Sequence, residues 1–212
     1  MNLRKRLLDL EQSKLEIRSE QDAVPEITGY GIIYGQETRI WNDLHEIIHP
    51  GAASQVLAAN PDIRSAFNHS RDKILGRTKS GTLKLEEDNH GVRYVVVPPD
   101  AQWARDLMVS IERGDIDGSS FTFGVDPQDE KITKRKDGTY LREIFAFSII
   151  GEMGPVSYPA YEGTSTNVRS LQEEYDSFAE YLRAQDNSDE IAERQRALAM
   201  RKRRLELLEK SI

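Results

Sequence analysis

From Ile27 to about Ile150 the chain is built from short β-branched and aromatic runs punctuated by glycine, proline and asparagine, and this pattern constrains its fold most. Ile27-Thr28-Gly29-Tyr30-Gly31-Ile32-Ile33-Tyr34 opens the region. Two strands are predicted between Ile27 and Ile48. Thr82 to Glu86 and Val92 to Val97 form a predicted hairpin around Asn89-His90-Gly91. Two longer strands are expected at Ile116 to Val125 and Tyr140 to Ile150, with Lys136-Asp137-Gly138 reversing the chain at an exposed tip. Two helices interrupt the series. One is short and carries Ala52, Ala53, Val56 and Leu57 on one face. The other runs from Asp100 as cap to Arg113, burying Trp103, Leu107 and Ile111, with Gly114 at the left-handed position that ends it. The expected fold is mainly β with flanking helices, a mostly antiparallel closed or nearly closed barrel with helices packed outside.

The ends read differently. Leu3, Leu7 and Leu10 share a helical face among alternating charges, so residues 1–22 are expected to form a helical extension before Pro25. Beyond Thr166, Leu171, Tyr175, Phe178 and Leu182 mark another amphipathic face, and Ile191, Leu198, Leu205 and Ile212 recur every seven residues. The expected organisation is an N-terminal helical extension over 1–22, a central β-domain over 23–168 and a helical tail over 169–212. The heptad stripe fits either self-association with a partner helix or a solvated helix with one apolar seam.

Composition narrows the function. The 212 residues contain no cysteine, which removes disulfides, thiolate metal sites and a cysteine nucleophile. A formal charge of -7 argues against a general nucleic-acid binder. No run approaches the roughly 20 apolar residues that span a bilayer, and no secretory segment follows the basic start, so no membrane partner is expected.

The candidate chemistry lies at three places. On a strand from Ile116 to Val125, Phe121, Phe123 and Val125 point one way, while Gly118, Ser120, Thr122 and Gly124 point the other. The bare face serves either close backbone packing or the approach of a substrate to the Ser120 hydroxyl; Ser119 would lie on the Phe side. His69, at the polar end of an apolar strand, is either a hydrogen-bonded structural residue or a base. Glu152, just past Ile144 to Ile150, is either a solvated loop carboxylate or a group that orients an imidazole. Together they supply the base, hydroxyl and acid of nucleophilic acyl transfer.

A rival pattern, His45-Glu46-Ile47-Ile48-His49, spells the H-E-x-x-H string of zinc proteases. That site requires a helix, and Pro50 and Gly51 leave no room for one. On a strand the two histidines share a face but stand roughly 13 Å apart at about 3.3 Å per residue, too far to hold one ion. No cofactor or metal is therefore expected.

The order of Asn68-His69, Leu75 to Leu83 (Leu-Gly-Arg-Thr-x-Ser-Gly-Thr-Leu), Gly118 to Phe123 (Gly-x-Ser-Phe-x-Phe) and Glu152 to Tyr161 (Glu-x-x-Pro-Val-x-x-Pro-Ala-Tyr) resembles the tailed-bacteriophage prohead maturation proteases. The match spans about residues 27–166. Two departures stand out: Ser119 where methionine is usual, and Ser70 after the histidine where aspartate is common. The resemblance implies the barrel of herpesvirus assembly proteases and maps the catalytic pair onto His69 and Ser120, with Glu152 as the acidic member. It also implies a serine endopeptidase in the host cytoplasm, inside the immature capsid. Its substrate would be the scaffolding region of the major capsid protein, and it would cut itself; the helical ends are candidates for scaffold binding, self-association or self-cleavage. Two alternatives remain: a non-catalytic capsid-assembly or scaffold-binding protein on the same fold, and a hydrolase of small esters.

Overall fold

The computed structural model describes residues 3–8, 10–19, 24–41, 43–157, 178–180 and 183. Two compact units divide the chain, Met1–Tyr161 and Glu162–Ile212. In the second unit the described residues are helical, and most of the expected 169–212 tail, including its heptad stripe, lies outside the described residues.

The first unit begins with β1 (Arg4–Leu8), α1 (Leu10–Ser13), β2 (Glu16–Arg18), β3 (Glu26–Ile33), β4 (Glu37–Arg39) and β5 (Leu44–Ile48). It continues through α2 (Ser54–Ala58), β6 (Arg64–Ala66), β7 (Ile74–Arg77), β8 (Leu83–Glu87), β9 (Gly91–Val96) and α3 (Gln102–Glu112). The last strands are β10 (Gly118–Gly124), β11 (Glu130–Lys134), β12 (Tyr140–Ile144) and β13 (Ile149–Val156). They form three sheets, ordered β1-β10-β13-β6-β7, β2-β3-β9-β8 and β11-β12-β5-β4. Most neighbours are antiparallel; β12 with β5 and β13 with β6 are parallel.

The sheets enclose one apolar core. Tyr94, Phe121, Phe123, Ile27, Ile32, Leu44, Ile63 and Met153 are among its fully buried side chains. Phe121, Phe123 and Phe147 form a ring cluster with centroids 5.0 to 6.1 Å apart. Each such ring contributes roughly 1.5–3 kcal/mol by leaving water. Beneath β1 a buried charge cluster joins two sheets: the Arg6 guanidinium forks onto Glu46 at 2.6 and 2.7 Å, and Arg142 Nη1 reaches the same carboxylate at 3.1 Å.

Four sequence expectations are corrected here. The sheets are separate and none closes into a barrel, because each ends in edge strands that no neighbouring sheet continues. The expected helix over 1–22 is instead a strand, one helical turn and a second strand over residues 4–18. Pairing with β10 and the Arg6–Glu46 contact override the helical spacing of its leucines. The long strand expected at Tyr140 to Ile150 is two strands in different sheets: β12 pairs with β11 and β5, whereas β13 pairs with β10 and β6. The reversal at Lys136-Asp137-Gly138 joins β11 to β12, with Gly138 at φ 91°. The hairpin around Gly91 forms as β8 and β9, and α3 ends at Gly114 with φ 77°. Asp100 pairs with Arg105 rather than capping α3.

Candidate active site

β10 lies second in its sheet, laddered to β1 on one side and β13 on the other. Its pleat sends Phe121 and Phe123 into the core and leaves Ser120 and Thr122 on the opposite face. Glu152 lies opposite Thr122 and Gly154 opposite Ser120, so the carboxylate and the hydroxyl share that face. The register slips between Thr122 and Phe123, and Gly151 is the extra residue on β13. Such a bulge re-aims the side chain beside it, here Glu152.

His69 arrives from the far side of β13, on a tight turn after β6. Asn68 and His69 both adopt left-handed backbone, with φ of 53° and 57°. Asparagine tolerates that region and histidine enters it at a cost, so the turn needs outside support. Asn68 provides it: its Oδ1 accepts from the Ser157 backbone N–H at 2.9 Å, and its Nδ2 donates to the Ser157 hydroxyl at 2.9 Å. Gly154 permits the close approach of β6 to β13. A Cβ there would stand 2.8 Å from the Ala66 carbonyl and 2.8 Å from Ser65 Oγ.

The three expected residues meet as a result. His69 Nε2 lies 2.8 Å from Ser120 Oγ, and His69 Nδ1 lies 3.1 Å from Glu152 Oε1. The His69 and Glu152 side chains retain 17 % and 24 % of their exposure, whereas Ser120 has none. An open cleft of about 380 Å³ borders His69, Glu152, Arg64 and Arg71, and Ser120 does not line it. The arrangement has the parts of nucleophilic chemistry: one imidazole nitrogen faces a hydroxyl, and the other faces a carboxylate placed to orient the ring.

The rival hydroxyl sits elsewhere. Ser119 Oγ is 2.8 Å from the Tyr94 hydroxyl in the core, where burial pushes the Tyr94 phenol well above its ordinary pKa. The H-E-x-x-H string forms strand β5. His45 pairs with Glu37 at 2.8 Å, His49 lies 3.2 Å from Glu143, and Glu46 is held by Arg6 and Arg142. Among the described residues no group of three or more potential ligands could hold a metal ion.

Sequence reasoning assigned no role to Asn68, Ser157 or Gly154, although each falls within a motif already quoted. An asparagine directly before a candidate base signals left-handed backbone. No signal pointed to a contact from the first residues: Ser120 Oγ donates to the Arg6 backbone carbonyl at 2.9 Å.

A family model described as caudovirus prohead serine protease matches residues 13–178. No curated protein and no solved structure matches the chain.

Proposed function

We infer, for a chain that belongs to the caudovirus prohead serine protease family, that Ser120 is the nucleophile, His69 its general base and Glu152 the carboxylate that orients the imidazole. Membership makes the protein a serine peptidase of phage head maturation, acting on capsid proteins. The finer reading is that it removes the scaffolding portion of the major capsid protein, and cuts its own chain, within the immature capsid. The observation that carries the residue assignment is the pair of contacts on one imidazole, 2.8 Å to Ser120 and 3.1 Å to Glu152.

In this mechanism Ser120 Oγ attacks the peptide carbonyl carbon while His69 Nε2 takes the hydroxyl proton. The tetrahedral adduct collapses as the C–N bond breaks, and His69 passes that proton to the departing amine. A water then attacks the acyl ester, giving its proton to His69, and the carboxylic acid leaves as Ser120 recovers its hydrogen. Glu152 faces His69 Nδ1 and stabilises the transient imidazolium.

The test is co-expression with the coat protein of the same genome, followed by coat-protein mass measurement, with Ser120→Ala and Ser119→Ala in parallel. A defined truncation that survives Ser119→Ala and disappears with Ser120→Ala supports the assignment. A coat protein left intact by the unmodified chain favours an assembly role without catalysis. Truncation that persists with Ser120→Ala removes that residue as nucleophile.

A further inference from the structure

Ser120 is fully buried, and β1 occupies the edge of β10 beside it. Arg4 to Leu8 pair antiparallel with Phe123 to Ser119, placing Leu7 opposite Ser120. The other edge of β10 is held by β13, which also carries Glu152. An extended peptide that brings a carbonyl to Ser120 by strand addition therefore has to use the edge that β1 occupies.

The hydrogen bonds at Ser120 point the same way. A carbonyl oxygen can only accept, so the contact from Ser120 Oγ to the Arg6 carbonyl uses the hydroxyl's single proton. His69 Nε2, 2.8 Å away, then meets a lone pair and must itself be the donor. An Nε2 that carries hydrogen cannot take the serine proton. Docking of β1 and general-base activation of Ser120 are mutually exclusive hydrogen-bond states.

β1 is also placed to leave. It forms one end of its sheet, so peeling it away breaks no other strand pairing. Side chains hold it: Arg6 forks onto buried Glu46, and Arg4 forks onto Glu130 at 2.6 and 2.9 Å. Glu46 retains Arg142 as a partner when Arg6 departs. The family match begins at residue 13, so β1 lies outside it.

We propose that β1 is an intramolecular occluding strand, latched by Arg6 on Glu46, which holds Ser120 in an unreactive hydrogen-bond state until the strand is displaced. The proposal rests on Ser120 and His69 being the reacting pair. Its test is the rate at which a fluorophosphonate labels the purified full-length protein, a reaction that forms the Oγ–P bond, expels fluoride and needs His69 to accept the serine proton. Unmodified protein, Arg6→Ala and Arg4→Ala are compared, with Ser120→Ala as the blank and circular dichroism and thermal melts as fold controls.

Arg6→Ala is expected to label on the order of tenfold faster or more, since a buried latch is lost. Arg4→Ala should show a smaller gain. The pentapeptide Arg-Lys-Arg-Leu-Leu, corresponding to residues 4–8, added in excess to Arg6→Ala should slow labelling again. Equal rates for folded Arg6→Ala, Arg4→Ala and unmodified protein would overturn the occlusion while leaving the nucleophile assignment intact. Labelling that persists in Ser120→Ala, or is absent from all variants, sinks the nucleophile assignment and the occlusion with it. If Arg6→Ala does not fold, Arg4→Ala decides, because it leaves the Glu46 cluster in place.

Discussion

The two faces of β10 carry adjacent serines with opposite surroundings. Ser119 points into the core beside Phe121 and Phe123 and shares a hydrogen bond with buried Tyr94. Ser120, one residue on, faces His69, with Glu152 and Thr122 on the same side of the sheet. Both hydroxyls are buried and both are hydrogen-bonded, so neither property separates them. What separates them is the partner. A phenol whose pKa is raised by burial takes no proton from Ser119, whereas the proposed base beside Ser120 is an imidazole with a carboxylate behind it, able to take that proton once β1 is displaced. A shift of one residue in register would exchange the two roles.

Four substitutions probe that contrast, from the largest expected effect downward. On the Ser120 face, Glu152→Gln keeps the shape but removes the charge facing His69 Nδ1. Coat-protein cleavage, followed by single-turnover kinetics, should slow by about 10³–10⁴-fold with the fold intact; a loss below tenfold would make Glu152 a bystander. On the core face, Phe123→Ala empties a space packed by Phe121 and Phe147 and should cost about 3–5 kcal/mol in urea unfolding. Ser119→Ala orphans the Tyr94 hydroxyl and should cost about 1–3 kcal/mol with little change in fluorophosphonate labelling. A large fall in labelling with no loss of stability would reverse the roles assigned to the two faces.

The smallest effect is expected at Lys5, opposite Thr122 on the Ser120 face. Burial lowers the Lys5 ammonium below its ordinary value of 10.5, against the opposing attraction of Glu152. The folded-state pKa is depressed, so the buried charge costs stability at pH below it. That cost fades as pH rises through the folded value toward 10.5. Lys5→Met should therefore raise the melting temperature by about one to four degrees at pH 7, with the gain shrinking by pH 10. A gain that grows with pH would place the ammonium in a net attractive setting instead.

The sequence shows the contrast between the faces more clearly than it shows the frame around them. Alternation along Gly118 to Gly124 separates Ser120 from the phenylalanines because a strand has a period of two, and the structure keeps that separation. The same local logic finds the β8–β9 hairpin and places the H-E-x-x-H string on a strand. Which edges join which is not local. Strands β12 and β13 read as one apolar run, yet they part into two sheets through parallel pairings with β5 and β6, far back in the chain. Closure into a barrel depends on edge pairings that alternation does not encode. The first twenty residues fail for a related reason: Leu3, Leu7 and Leu10 satisfy a helical stripe, and only Glu46, forty residues from Arg6, and β10 beyond it turn the segment into a strand. The His69 turn combines both cases. Asn68 marks it in the sequence, but the Ser157 atoms that hold it come 89 residues later.

Those long separations bear on when the protein can act during its own synthesis. His69 emerges first, Ser120 follows, and β13, which brings Glu152 and then Ser157, is among the last strands made. Without β13, β6 has no neighbour linking it to β10, and the turn carrying the imidazole lacks its anchor. A nascent chain ending before Val156 thus lacks the contacts that bring His69 to Ser120 in the folded protein. Pairings of such high sequence separation also form slowly, because loop closure comes before the contacts that offset it. With Ser120 and His69 as the proposed reacting pair, the order of translation would itself be a safeguard, holding back peptidase chemistry until the whole β-domain has been made.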